Sequence, residues 1–230
     1  MNNIIRKPFK YTNSGIVYWL IGINILIFLF LWLLAKNFYS IASWGGIGER
    51  LIMLGDFLLI RMPMRPALVL ERGWVWTFIT YMFMHAGFRH ILFNMFGLFI
   101  FGIHVERQMG SREFLLYYLL TGALAGVFSC FAYYFTSSAL VPLVGASGAI
   151  FAVELAYAVL FPDSIIYLWG IIPLRAPVMV LGFTALELIL SLTEANSNVA
   201  HLTHLAGFAF GWIYFLIRFG MNPWRRLTGR

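Results

Sequence analysis

The sequence predicts an all-α, polytopic membrane protein: six helical spans in one bundle, with a long first connection lying partly in the membrane. Three observations lead there. Hydrophobic residues make up 61% and charged residues 11% of the 230 positions, against roughly 45–50% and about 25% in globular proteins. So few charges do not cover a water-exposed surface of this size. Six apolar runs recur at or near the ~20 residues that cross a bilayer. The basic residues lie mostly outside those runs.

The first run, 16–35, follows Arg6, Lys7 and Lys10 and has no small-residue cleavage site, so it reads as a retained span behind a short cytoplasmic segment, 1–15. A connection of about fifty residues, 36–87, comes next. Its apolar pieces (Phe57 to Ile60, Trp74, Trp76, Phe78, Tyr81 to Met84) alternate with Arg50, Arg61, Arg65 and Arg72. Amphipathic pieces edged by tryptophan favour the bilayer interface. The second span is expected at 88–104 and the third at 114–135. The fourth, 147–161, is short and begins below the membrane surface. The fifth is expected at 176–192 and the sixth at 199–219, followed by a basic cytoplasmic tail, 220–230. Residues 16–219 thus form one membrane domain.

Arg107 and Arg112 follow span two and Arg175 follows span four, whereas 136–146 and 193–198 carry no Lys or Arg. Positive-inside asymmetry then puts both termini in the cytoplasm, as expected for a bacterial plasma-membrane protein. Nucleic acid is excluded as a partner despite the net charge of +7, because the cations flank spans instead of gathering on one soluble face. The single cysteine, Cys130, permits no intramolecular disulfide. The halves show no inverted repeat, which counts against a secondary transporter.

Ionisable and polar side chains inside spans are costly and mark candidate sites. Here they are His85, His90, Asn94, His104, Ser147, Glu154, Glu187, His201 and His204. A lone intramembrane serine is ordinarily a packing residue. Ser147, however, stands between Gly145 and Gly148 where an uncharged loop becomes a helix, so unpaired N–H groups and the positive dipole end meet its hydroxyl. Gly148 and Ala152, four apart, allow another helix close. In the sixth span His204, Gly207 and Gly211 share nearly one face, which brings the imidazole within reach of Ser147. His90 and Asn94, also four apart, share a face of span two and can donate to an oxyanion. The rival for His85 and His90 is zinc, but no His-Glu-x-x-His spacing exists and the intramembrane glutamates lie on other spans.

Together these residues resemble the rhomboid family of intramembrane serine proteases. The resemblance rests on Gly-x-Ser-Gly-x-x-x-Ala (Gly145 to Ala152), His-x-x-x-x-His-x-x-x-Asn (His85 to Asn94) and His-x-x-Gly-x-x-x-Gly (His204 to Gly211). The run from Glu106 to Ser111 fits as well. The likeness is strongest over 74–211, and it implies a six-helix rhomboid-like bundle. It also implies Ser147 as nucleophile, His204 as general base and then acid, and an oxyanion hole from the Ser147 N–H with His90 and Asn94. Phe151 takes the place of an aromatic residue stacked on the catalytic imidazole. The implied substrates are transmembrane segments entering laterally from the lipid bilayer, with no metal and no organic cofactor. The only aspartates, Asp56 and Asp163, fall outside the spans, so a Ser-His dyad is expected in place of a triad.

Trp76-Thr77 departs from the family's Trp-Arg pair. His201 is an extra histidine one turn before His204 and a competing base. His104 and Glu154 are expected to meet as a buried pair below the site, and Glu187 has no evident partner. The alternative function is a catalytically inactive rhomboid-like binding or quality-control factor; a proton-path transporter is a third reading.

Overall fold

A computed structural model describes residues 9–37, 41, 45–135, 139–168, 170–193 and 198–229, with backbone alone at 198–200. Arg6, Lys7 and Arg230 lie outside the described residues, as do parts of the connections 136–146 and 193–198. Among the described residues five helices are long and apolar enough to cross a membrane, and a sixth apolar helix is shorter.

The first helix, α1 (Ile16–Lys36), leaves most of its apolar surface open and buries Val17, Leu20, Asn24 and Leu34. Its leading N–H groups have no partners in their own helix. The buried Glu106 carboxylate supplies them, accepting from Ile16 N at 2.8 Å and Val17 N at 3.0 Å, which also sets a negative charge at the positive helix end. Ser111 Oγ donates to the same carboxylate at 2.5 Å. The Glu106–Ser111 run therefore fastens α1 to the bundle.

The first connection is helical in pieces: α2 (Gly46–Arg61), α3 (Pro66–Arg72) and the short α4 (Thr77–Thr80). On α2, Ile47, Met53, Leu54, Phe57, Leu59 and Ile60 face outward. Arg61 lies over the Phe57 and Trp74 rings, and Trp74 stacks on Trp76 at 5.5 Å. Basic side chains over indoles beside exposed apolar side chains suit the interface expected there. Deeper in, Met64 and Leu143 exchange backbone hydrogen bonds of 3.1 and 2.8 Å, so the connection is stitched to the loop that leads to Ser147.

Helix α5 (Phe88–Met109) is longer than the expected span and contains a π-helical turn, Leu98–Gly102. It is followed by α6 (Ser111–Phe135) and by α7 (Ser147–Leu160), which at 14 residues is the short fourth helix. Nearly every side of α7 is buried, as expected of a helix apolar all round and surrounded by others. A β-hairpin, β1 (Ile165–Leu168) with β2 (Ile172–Arg175), interrupts the all-helical expectation before α8 (Ala176–Thr193). Helix α9 (Asn198–Tyr214) runs on into a second π-helical turn, Phe215–Phe219. The tail is folded as α10 (Pro223–Thr228), with Leu227 buried. Near the start of α6, Glu113 accepts two hydrogen bonds from Arg218, at 2.7 and 2.8 Å, and one from the Tyr214 hydroxyl. This cluster ties the third span to the sixth.

Candidate active site

Ser147 is the first residue of α7, after the turn at Gly145 and Ala146. Gly145 has φ +114°, a conformation that side chains disfavour, and a Cβ there would lie 2.6 Å from His90 Nε2. Its N–H donates to the Tyr81 carbonyl at 2.9 Å. Only glycine permits both the turn and the approach of the His90 ring.

Helices α7 and α9 meet backbone to backbone. A Cβ at Gly207 would run into the Gly148 carbonyl, and one at Gly211 would lie 3.2 Å from Ala152 Cα. The expected faces therefore pair in register, Gly207 on Gly148 and Gly211 on Ala152. A third helix closes the junction: Ser129 Oγ of α6 is 2.6 Å from Thr203 Oγ1 of α9, and Tyr117 of α6 donates to the Ala152 carbonyl at 2.5 Å.

This contact carries His204 to Ser147, with Nε2 2.8 Å from Oγ. Phe151, one turn along α7, lies flat on the imidazole with centroids 4.6 Å apart and planes 5° apart. His204 is thus held by its face as well as its edge. Both residues line a cleft of about 360 Å³ between α5, α7, α8 and α9, along with His90, Asn94, Phe183 and Glu187.

On α5, His90 Nδ1 accepts from the Ala86 N–H at 3.4 Å. A neutral imidazole then carries its proton on Nε2, the nitrogen facing Gly145. Asn94 is buried and gives one Nδ2 proton to the His90 carbonyl at 2.8 Å, leaving a second. These donors and the N–H groups opening α7 border the cleft at Ser147. His85 packs edge-on to His90 at 5.1 Å, and among the described residues neither of its ring nitrogens has a partner.

Two expectations need correction. His104 does not meet Glu154. It is exposed, its Nδ1 lies 2.8 Å from the Ile100 carbonyl, and its ring sits edge-on to Tyr157 and Phe161. The π-helical turn at Leu98–Gly102 is the reason. One extra residue in a turn carries everything beyond it roughly 100° round the axis, so His104 leaves the face it would share with His90. Glu154 instead lines the cleft, with Oε2 buried and, among the described residues, unpartnered.

Glu187, expected to lack a partner, has two. Its Oε2 lies 2.5 Å from His201 Nδ1 and 3.1 Å from His204 Nδ1. The second is an ion-pair distance, but the ring N–H does not aim along it, so His204 Nδ1 makes no well-directed hydrogen bond. His201, the competing base, is engaged by Glu187. The three donor atoms fall within 4.8 Å of one another, a grouping open to a metal ion. Two ligands of one tetrahedral zinc stay about 3.3 Å apart, and 2.5 Å is a hydrogen-bonding separation.

The Rhomboid domain family matches residues 72–221, more than half of the chain. The chain is 39% identical over 154 residues to RHOMBOID-like protein 12, mitochondrial, of Arabidopsis thaliana, covering 60% of this chain and 45% of that protein. It is 34% identical over 140 residues to Putative rhomboid protease YdcA of Bacillus subtilis, covering 60% and 64%. It is 30% identical over 219 residues to Rhomboid-like protein 11, chloroplastic, of Arabidopsis thaliana, covering 90% and 65%. The chain therefore spans about half to two thirds of the length of these relatives, which come from a bacterium and from two plant organelles. By its matched domain and its bundle of apolar helices, this multi-pass integral membrane protein belongs to the rhomboid family.

Proposed function

We propose that the chain is an intramembrane serine endopeptidase that cleaves transmembrane segments of other membrane proteins. The observation that carries this reading is the 2.8 Å contact of Ser147 Oγ with His204 Nε2 inside a cleft between helices. Ser147 adds to the scissile carbonyl as His204 takes its proton; His204 then returns that proton to the leaving amine. The Ser147 N–H, His90 Nε2 and Asn94 Nδ2 receive the developing oxyanion, and Phe151 fixes the plane of the imidazole. The chemistry uses protein groups and water alone. Substrate reaches the cleft laterally from the lipid bilayer, and both termini lie on the cytoplasmic side, on the charge placement around the spans.

The test is cleavage of a reporter span in proteoliposomes. Ser147→Ala and His204→Ala are each expected to abolish it while leaving membrane insertion intact, and a fluorophosphonate probe is expected to label Ser147. Retained cleavage by Ser147→Ala would overturn the assignment. An inactive binding factor predicts no cleavage by the parent chain.

A further inference from the structure

The carboxylate nearest the His204 ring is a glutamate. Glu187 on α8 occupies the position that a triad's acid holds, at the Nδ1 edge of the imidazole and opposite the edge that meets Ser147. We infer that Glu187 is a positioning residue for the base, extending the Ser147–His204 pair into a Ser-His-Glu array in which His201 anchors the carboxylate. This inference rests on the protease reading above.

Four observations carry it. Glu187 Oε2 is 3.1 Å from His204 Nδ1. The same oxygen is fixed from its other side by His201 Nδ1 at 2.5 Å, and a carboxylate oxygen has lone pairs for both. The side chains of Glu187 and His204 are only 15% and 19% exposed, so water screens the contact weakly. His204 Nδ1 is itself buried, and among the described residues no other group bonds to it. A small turn of the ring or the carboxylate completes the bond.

The consequence is a defined tautomer. With Nδ1–H facing Glu187, Nε2 carries the lone pair and accepts from Ser147 Oγ–H. As the Oγ–C bond forms, the Ser147 proton moves to Nε2 and the carbonyl π pair moves onto oxygen. Nδ1 keeps its proton throughout, and Glu187 stays ionised beside the imidazolium. The Nε2 proton then passes to the amine nitrogen as the C–N bond breaks. Without the carboxylate the imidazole divides between tautomers, and only one of them can act as base.

Glu187→Gln is expected to lower kcat for the reporter span about ten- to a hundredfold at little changed KM, less than the roughly 10⁴-fold loss of a soluble triad that loses its acid. Glu187→Asp is expected to recover part of that loss. Assays run with a chelator present, so that no bound metal contributes. ¹⁵N-histidine spectra report the tautomer directly: Nδ1–H at His204 in the parent, and a mixture in Glu187→Leu. A role confined to satisfying His201 predicts that adding His201→Phe restores the rate of Glu187→Gln; the positioning role predicts that the double variant stays slow. If the parent cleaves and Glu187→Gln cleaves equally fast, or the tautomer is unchanged in Glu187→Leu, or the double variant recovers, the inference is overturned. A parent that cleaves nothing overturns the protease reading instead.

Discussion

Gly207 and Gly148 set the distance between the two residues of the proposed chemistry, so a single methyl group tests whether that distance matters. In an unconstrained helix Gly→Ala stabilises by about 0.5–1 kcal/mol. At Gly207 the added Cβ would fall on the Gly148 carbonyl. Helix α7 has little room to retreat, because α6 lies against it, the Cβ position of Gly148 falling 3.2 Å from Ala125 Cβ. The helices must part by roughly 1 Å or more to restore ordinary contact. That stretches Ser147 Oγ–His204 Nε2 from 2.8 Å to roughly 3.8 Å, beyond hydrogen-bond reach. Gly207→Ala is therefore expected to lose about 1–3 kcal/mol of stability by overpacking and about 10²-fold or more in turnover by misplacement. A Cβ added at Gly182 on α8 would meet nothing within 4 Å among the described residues, and Gly182→Ala serves as the control, with turnover unchanged within about twofold. The assay is reporter-span cleavage in proteoliposomes, with thermal unfolding in detergent alongside. If Gly207→Ala cleaves as fast as the control, the α7–α9 contact does not set the Ser147–His204 distance.

Asn94→Ala removes one proposed oxyanion donor and is expected to lower kcat about 10- to 100-fold with KM little changed, as initial rates on the same reporter would show; an unchanged kcat leaves Asn94 as a helix-packing residue. Glu113→Ala strands the Arg218 side chain, 13% exposed, without its carboxylate. It is expected to destabilise the fold by about 3–5 kcal/mol, seen as a lower unfolding temperature in detergent, while Ser147 in the folded fraction still labels with the fluorophosphonate probe.

The spans were legible because bilayer thickness imposes one length on every crossing helix, and an apolar run displays that length directly. Their irregularities were not. The turns Leu98–Gly102 and Phe215–Phe219 each wind one residue wider than an α-helix, and no residue type demands this. The hairpin carried a local signal in its β-branched and aromatic run, Ile165-Ile-Tyr, and in Gly170 at φ +74°. That run sits against the ends of spans four and five, where apolar periodicity does not separate strand from helix.

The site was legible where its logic is local and lost where it is tertiary. Small residues four apart mark the face on which two helices close, so Gly148, Ala152, Gly207 and Gly211 announce both the contact and its register. Face-sharing within one helix says nothing of which neighbour that face meets. Glu154 and Glu187 therefore looked alike in the sequence, each an acid in a span. A further signal separates them. Helices α8 and α9 are joined by a short connection and pack together, and in an antiparallel pair residues equally far from the turn stand side by side. Glu187 precedes the end of α8 by as much as His204 follows the start of α9. Matching depth places this carboxylate beside the imidazole, and the 3.1 Å contact is what that matching predicts. Intramembrane carboxylates are costly unless paired, so an acid at the depth of a histidine on the next helix is itself a reason to look for a positioned base.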